Sequence, residues 1–166
     1  LSNRVLVLTK LDEGHLELHQ EEVPLRPLLD DIIAKISLKT SKRVEFTTVY
    51  HRCEMVYADA FCLREVLGNL LDNAIEGAGS ADENDREITV DITENAGCLN
   101  VRITNHYNEN AQNDIIAAGK GHIHKGLGIS IAKNAAEENK GMFEYTAENG
   151  IFTAMVVLPV SEKTIG

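Results

Sequence analysis

The chain has 166 residues, of which 43% are hydrophobic and 25% charged, as expected for one soluble globular domain. Its formal net charge of −10 predicts an acidic surface that repels phosphate backbones, so we expect no nucleic-acid partner. Three widely spaced cysteines form no C-x-x-C pair, which argues against a disulfide framework or a zinc site and favours a reducing, cytoplasmic compartment. There is no long apolar run, so no membrane-spanning helix is predicted. The chain starts without Met, and we expect a piece of a longer protein.

The first third of the chain predicts a helix end, a strand and a second helix. Residues 1–11 carry apolar side chains at helical spacing, and Gly14 follows where a left-handed cap would stop the helix. Residues 15–23 alternate and predict an edge strand. Pro24 then precedes a predicted helix over residues 28–41, with its isoleucines and leucines turned inward.

Two strands and a long amphipathic helix are predicted next. Residues 44–50 and 54–58 are short alternating runs typical of strands. Asp59 suits the N-cap of a helix that extends to Glu76. Residues 77–86 are polar and rich in glycine, which predicts a loop.

Residues 88–93 and 99–104 predict a hairpin with one buried face. The polar stretch at 107–125 is too long for an ordinary connection and predicts a lid or binding loop. A helix over residues 126–139 follows.

A second hairpin, residues 142–147 and 151–158, closes the domain before a tail at 161–166. The predicted strands come in adjacent antiparallel pairs with helices between them. This order predicts an α/β fold, a two-layer sandwich with helices on one face of the sheet. A G-x-G-x-x-G sequence after the first strand is absent, so a Rossmann fold is not expected.

The helix at 59–76 carries a polar stripe opposite its apolar face. The stripe consists of Glu65, Asn69, Asp72, Asn73 and Glu76. Exposure to solvent would explain the stripe. However, the stripe contains no Lys or Arg for the usual ion pairs, and it does contain two asparagines, which are mediocre helix formers. A carboxylate and two amides spaced by four also suit a hydrated cation that contacts phosphate.

Three further features have both a structural and a functional interpretation. Asn105 follows three inward apolar residues of its strand, so it either caps the strand end or lies at a pocket floor. Gly126-Leu127-Gly128 is either a plain helix start or a phosphate-binding one. Lys120 is either a solvated loop lysine or a point charge for a terminal phosphate.

The segment EVLGNLLDNA at residues 65–74 closely resembles the N box of the histidine-kinase-type (Bergerat, or GHKL) ATPase family, which also includes DNA gyrase. The resemblance implies the Bergerat fold, with a mixed sheet and an ATP lid loop. It implies that Asn69 ligates Mg²⁺, that Asn73 contacts the phosphates, and that Glu65 acts as base or positions the attacking group. Many members have a basic residue where this chain has Glu76.

The rest of the site resembles the family less evenly. Lys120 followed by Gly126-Leu127-Gly128 matches the order of the family's K…G-L-G segment and implies contacts with ATP, with Lys120 also placed among the catalytic residues. The D-x-G-x-G of orthodox sensor kinases is missing. Instead, Asn105 ends the strand, as in the quorum-sensing peptide-receptor kinases, and the resemblance implies that it bonds adenine.

The resemblance implies a sensor histidine kinase that uses ATP and Mg²⁺ in two-component signalling. Residues 1–14 correspond to the end of the dimerisation and phospho-acceptor helix, 15–160 to the catalytic domain and 161–166 to a tail. No histidine lies in an acceptor motif, so the acceptor is expected on a separate domain of the same, homodimeric protein, with a response regulator downstream. The domain is expected to be cytoplasmic, and the sequence leaves open whether the parent protein is anchored in a membrane. A degenerate binding module and an ATP-hydrolysing clamp are the alternatives.

Overall fold

The computed structural model describes residues 19–110 and 127–160. The helix predicted for residues 1–11, the tail at 161–166 and most of the predicted loop at 107–125 lie outside the described residues. In chain order the elements are β1 (Gln20–Pro24), α1 (Leu25–Ser37), β2 (Glu45–His51), β3 (Met55–Asp59), α2 (Ala60–Ser80), a short 3₁₀ helix (Glu83–Asp85), β4 (Glu87–Asn95), β5 (Cys98–His106), α3 (Leu127–Glu138), β6 (Met142–Glu148) and β7 (Ile151–Pro159).

Five strands form the main sheet in the order β2-β4-β5-β7-β6. The β2–β4 pair is parallel, and the other three pairs are antiparallel, so the sheet is mixed. The two predicted hairpins are confirmed as β4–β5 and β6–β7. Gly97 and Gly150 adopt the positive φ angles, 77° and 75°, that their tight turns require.

The expectation that all strands pair with their sequence neighbours is wrong for β2 and β3. Strand β3 pairs with β1 in a separate two-stranded sheet, and β2 joins β4 instead. The connection between β2 and β3 explains the change. Arg52 turns the chain at a φ of 55°, Cys53 is buried, and the Glu54 carbonyl accepts a hydrogen bond from Leu25 N at 2.9 Å. This connection ties the start of β3 to the start of α1 and directs it towards β1.

Helix α1 begins three residues before its predicted start and ends at Ser37 rather than residue 41. Pro24 occupies the N-cap and Pro27 lies in the first turn. The missing proline N–H costs no hydrogen bond there, because first-turn N–H groups have no partner within the helix. Pro24 therefore directly precedes the helix, as predicted, whereas Pro27 lies inside its first turn.

Helix α2 continues four residues beyond Glu76, so the first part of the predicted loop at 77–86 is helical. Gly77 and Ala78 are buried, and the Ser80 hydroxyl donates a 2.6 Å hydrogen bond to the Gly77 carbonyl. Burial of this last turn against the sheet outweighs the low helix propensity of its glycines.

The helices cover one face of the main sheet, which confirms the two-layer α/β sandwich. Alternate side chains of the central strands are buried, among them Ile88, Val90, Leu99, Val101 and Val156. Helix α2 contacts β4, β5 and β7, and α3 contacts β6 and β7. Among the described residues, no helix is long and apolar enough to cross a membrane.

Candidate functional site

Helix α2 carries the polar stripe, and Asp59 fixes where it starts. One carboxylate oxygen of Asp59 accepts a hydrogen bond from Cys62 N at 3.0 Å, which satisfies an N–H of the first turn. The other oxygen accepts from His19 N at 2.9 Å. The predicted N-cap is therefore confirmed, and it sets the register in which the stripe faces away from the apolar side.

The stripe divides into a solvated part and a buried part. Asp72 is half-buried, and its carboxylate lies 3.2 Å from the ammonium of Lys39, two residues beyond the end of α1. The positive partner that the stripe lacks is therefore supplied by a neighbouring segment. Glu76 is exposed. Asn69, in contrast, is only 1% exposed, which contradicts the simple solvated-surface interpretation at this position.

The Asn69 amide is held by the preceding turn of α2. Its Nδ2 donates to the Glu65 backbone carbonyl at 2.6 Å and lies 3.3 Å from Glu65 Oε1. Its Oδ1 is buried and has no hydrogen-bond partner among the described residues. The amide can therefore offer an oxygen to a further ligand while keeping the Glu65 carboxylate close.

Asn73 lies one turn further along α2, on the same side as Asn69. Its Nδ2 is buried and also lacks a partner within the part of the chain that the structure describes. An acceptor on one turn and a donor on the next form a pair that suits a ligand with both positive and negative groups. A buried polar atom without a partner costs about 1–3 kcal/mol, so a ligand that supplies the partner binds more favourably.

Asn105 points inward from the end of β5 and is 1% exposed. Its Nδ2 donates to the His106 carbonyl at 2.9 Å, so the amide does bond the strand end. Its Oδ1 is buried without a partner among the described residues. The bond to His106 fits the strand-end interpretation of Asn105, and the pocket-floor interpretation stays a prediction that the unused acceptor makes possible.

The fold brings Asn105 to α2 at Gly77, four residues beyond Asn73. A Cβ on Gly77 would lie 2.6 Å from Asn105 Nδ2. Asn69, Asn73 and Gly77 occupy successive turns, so the end of β5 reaches the same line on the helix. Glu65, Asn69 and Asn73 thus lie on one side of α2, and Asn105 meets that side at Gly77; we call these four residues together the amide cluster.

The glycine-rich part of the predicted site is only partly described. Lys120 and Gly126 lie outside the described residues. Leu127 and Gly128 are the first described residues of α3, which confirms the predicted helix over the part that the structure describes. Helix α3 packs against α2, the helix that carries three of the four residues of the amide cluster.

The donor types of the amide cluster could hold a magnesium nucleotide. Among the described residues, no group of three or more His, Cys, Asp and Glu side chains is placed to bind a metal. Mg²⁺ commonly retains waters and uses only one or two protein ligands together with substrate phosphates. The Asn69 oxygen suits that cation or its water, and the Asn73 N–H suits a phosphate oxygen.

The sequence did not predict the contact of Gly77 with Asn105 or the burial of Tyr107 just beyond β5. Gly77 lies in the segment predicted to be a loop, and its spacing of four from Asn73 has a meaning only because α2 continues to Ser80. Tyr107, assigned to the long loop, is 5% exposed, and its N–H donates to the Gly150 carbonyl at 2.9 Å. Burial raises the pKa of its hydroxyl, so Tyr107 stays protonated near neutral pH.

Comparisons with known proteins agree with this architecture. Histidine kinase 3 of Arabidopsis thaliana is 33% identical over 79 residues, which are 46% of this chain and 8% of that protein. The full-length structure of ShkA in complex with AMPPNP has a TM-score of 0.74 at 19% identity, over 97% of this chain and 35% of that one. The catalytic domain of histidine kinase ThkA has a TM-score of 0.65 at 21% identity, over 87% of this chain and 96% of that one.

The chain therefore has the fold of histidine-kinase catalytic domains, although it spans only a small part of the curated relative that it matches. A family model described as a GHKL domain matches residues 59–159, which is more than half of the chain and includes the whole amide cluster. The chain belongs to the GHKL domain family.

Proposed function

We propose that this chain binds Mg-ATP and transfers the γ-phosphoryl group to a histidine on a separate domain. One observation carries the proposal: Asn69 and Asn73, on successive turns of α2, each present a buried amide atom with no partner among the described residues, one an acceptor and one a donor. Membership of the GHKL family supports a nucleotide as the ligand.

Each residue of the amide cluster has a role in this proposal. Asn69 Oδ1 holds the cation or its water, and Asn73 Nδ2 donates to a phosphate oxygen. Asn105 Oδ1 accepts from the adenine amino group. The cation, when bound, neutralises charge on the phosphates. Transfer then depends chiefly on positioning and charge stabilisation by these residues, because phosphoryl transfer needs little covalent chemistry from the protein.

Glu65 is the proposed catalytic carboxylate. It lies one turn before Asn69, and the Asn69 amide lies 3.3 Å from its Oε1, so the same side chain that holds the cation orients the carboxylate. From there Glu65 accepts a proton from the attacking group or fixes its direction. Lys120 supplies a point charge at the terminal phosphate, and Gly126, Leu127 and Gly128 bring the start of α3 to the phosphates.

The rest of the protein follows from the same proposal. Residues 15–160 form the catalytic domain, 1–14 are the end of the dimerisation and phospho-acceptor helix of a homodimeric parent with a linker, and 161–166 form a tail. The domain acts in the cytoplasm and supplies phosphoryl groups that pass from the acceptor histidine to a response regulator. The proposal also assigns residues 77–160, which include the strand end at Asn105, to the quorum-sensing peptide-receptor subgroup of these kinases.

A nucleotide-binding module without transfer is the second candidate. The specific observation that favours it is the strand end Asn105-His106-Tyr107, which replaces D-x-G-x-G. The Asn105 amide can accept a hydrogen bond from a nucleotide base, but it lacks the negative charge of the Asp in D-x-G-x-G. A chain with this substitution can bind a nucleotide without transferring its phosphoryl group.

Transfer of label from [γ-³²P]ATP separates these candidates. We expect the chain, mixed with the separately produced acceptor domain of its parent, to label that domain. Glu65→Gln should slow labelling about 100-fold or more and change ATP affinity only slightly, because Gln retains an oxygen near Asn69 but no basic carboxylate. Glu138→Gln, an exposed change on α3, is the control. If the unmodified chain bound ATP but did not label the acceptor domain, the result would instead favour the nucleotide-binding module without transfer.

A further inference from the structure

Helix α2 and strand β5 approach each other closely where Gly77 faces Asn105. A Cβ on Gly77 would lie 2.6 Å from Asn105 Nδ2 and 3.6 Å from its Cγ. Real Cβ atoms essentially never come so near, so any side chain at position 77 forces the Asn105 amide to move. Both residues are buried, and the amide therefore has little free space to move into.

The amide of Asn105 has only one favourable orientation. Its Nδ2 donates to the His106 carbonyl at 2.9 Å. Rotation by half a turn would place Oδ1 against that carbonyl, and two acceptors at this separation repel. The donor half of the amide is thereby used inside the protein, and Oδ1 is the atom that remains for a ligand.

We propose that Gly77 is a positioning residue: its missing side chain lets the Asn105 amide pack against α2 with Oδ1 presented, and this fixed acceptor selects a ligand amino group. The inference deepens the proposed function and depends on it, since the ligand is taken to be a purine nucleotide. The roles proposed above for the amide cluster imply neither a role for Gly77 nor a single fixed orientation of the Asn105 amide.

A fixed acceptor discriminates between bases that differ in one group. The adenine amino group donates to Oδ1, whereas the carbonyl oxygen of hypoxanthine at the same position repels it. The chain should therefore bind ATP at least about tenfold more tightly than ITP, which corresponds to one net hydrogen bond. An amide free to turn over would accept either base and show no such preference.

Gly77→Ala is the test, and helix α2 contains its matched control. Around Gly68, a Cβ would meet no atom of the described residues within 4 Å, so Gly68→Ala makes the same chemical change on the same helix without displacing any of them. Equilibrium titrations of both variants and the unmodified chain with Mg-ATP and Mg-ITP give the ratio of the two dissociation constants. A merely structural role for Gly77 would alter thermal stability and leave that ratio unchanged.

We expect Gly68→Ala to retain the preference and Gly77→Ala to bring the two dissociation constants to within about threefold, mainly by weakening ATP binding. An unchanged ratio in folded Gly77→Ala would overturn the inference, as would equal affinity of the unmodified chain for both nucleotides. If the unmodified chain bound neither nucleotide, the proposed function itself would fail. Should Gly77→Ala not fold, Asn105→Ala keeps the test decisive, since it removes the acceptor and must also abolish the preference.

Discussion

Buried amides set the character of the site at the residue scale. Asn69 and Asn105 are the two buried polar residues of the described chain, and each uses its Nδ2 on a backbone carbonyl. The remaining amide oxygens carry the cost of burial without a compensating bond from the described residues. Such a local conflict with stability is expected where a protein binds a ligand, because the ligand supplies the missing partner.

The thiols of Cys53 and Cys62 provide a contrasting case, in which burial makes a polar group less reactive. Cys62 lies beside Asp59, and burial, followed by that carboxylate, raises the pKa of its thiol from 9.0 to about 12. Burial raises the pKa of Cys53 to about 11 in the same way. Neither thiol is therefore an activated nucleophile, since the thiolate is the reactive form.

We accordingly expect alkylation of Cys62 by iodoacetamide at pH 8–9 to be at least about tenfold slower in the native chain than in urea. The native rate should keep rising with pH above 9, where the unfolded thiol already levels off. The raised pKa also predicts that Cys62 stabilises the fold below pH 9 and loses this contribution as the pH rises towards 12. Mass spectrometry of the digested protein measures the alkylation of each cysteine separately. Equal alkylation rates of Cys62 in the native and the unfolded chain would contradict the raised pKa of its thiol.

The sequence identified most of the amide cluster because helix and strand periods are local. A period of 3.6 placed Glu65, Asn69 and Asn73 on one side of α2, and a period of 2 turned Asn105 inward. Gly77 could not be found in this way, because its importance comes from a contact with β5 that lies 28 positions away in sequence. The loop that carries Lys120 stays a prediction.

At the element scale, helix α2 joins fold and site, and its N-cap is its most testable feature. Asp59→Ala removes the acceptor for Cys62 N and for His19 N, so the free energy of unfolding should fall by about 1–2 kcal/mol. Asp59→Asn keeps an oxygen at the cap and should lose less than half as much. Urea denaturation gives both values, and an unchanged midpoint for Asp59→Ala would show that the cap contributes nothing.

Strand partners were harder to predict than strands. Alternation in β2 and β3 indicates which side chains face inward, but it carries no information about which strand lies alongside. The buried connection through Cys53 and the hydrogen bond from Leu25 N to Glu54 decide that β3 pairs with β1. These contacts join residues about 30 positions apart, so no local pattern could reveal them.

For the whole molecule, the sheet order explains why the candidate site lies where it does. Strands β4 and β5 lie under α2, and β7 and β6 continue the sheet under α3, so the two helices pack side by side on one face. The chain as a whole carries a charge of −10, which disfavours a free nucleotide anion at long range. Binding should therefore depend strongly on Mg²⁺, which reduces the charge of the nucleotide, and on the local donors of the amide cluster.

Calorimetric titration of the chain with ATP, with and without Mg²⁺, tests the central claim most directly. We expect saturable one-site binding with Mg²⁺ and at least about tenfold weaker binding of Asn73→Ala, which loses the buried donor to a charged phosphate oxygen. Asn134→Ala, the same change at an exposed position of α3, should bind like the unmodified chain. A chain that gives no saturable binding, or an Asn73→Ala variant with unchanged affinity, would contradict the account.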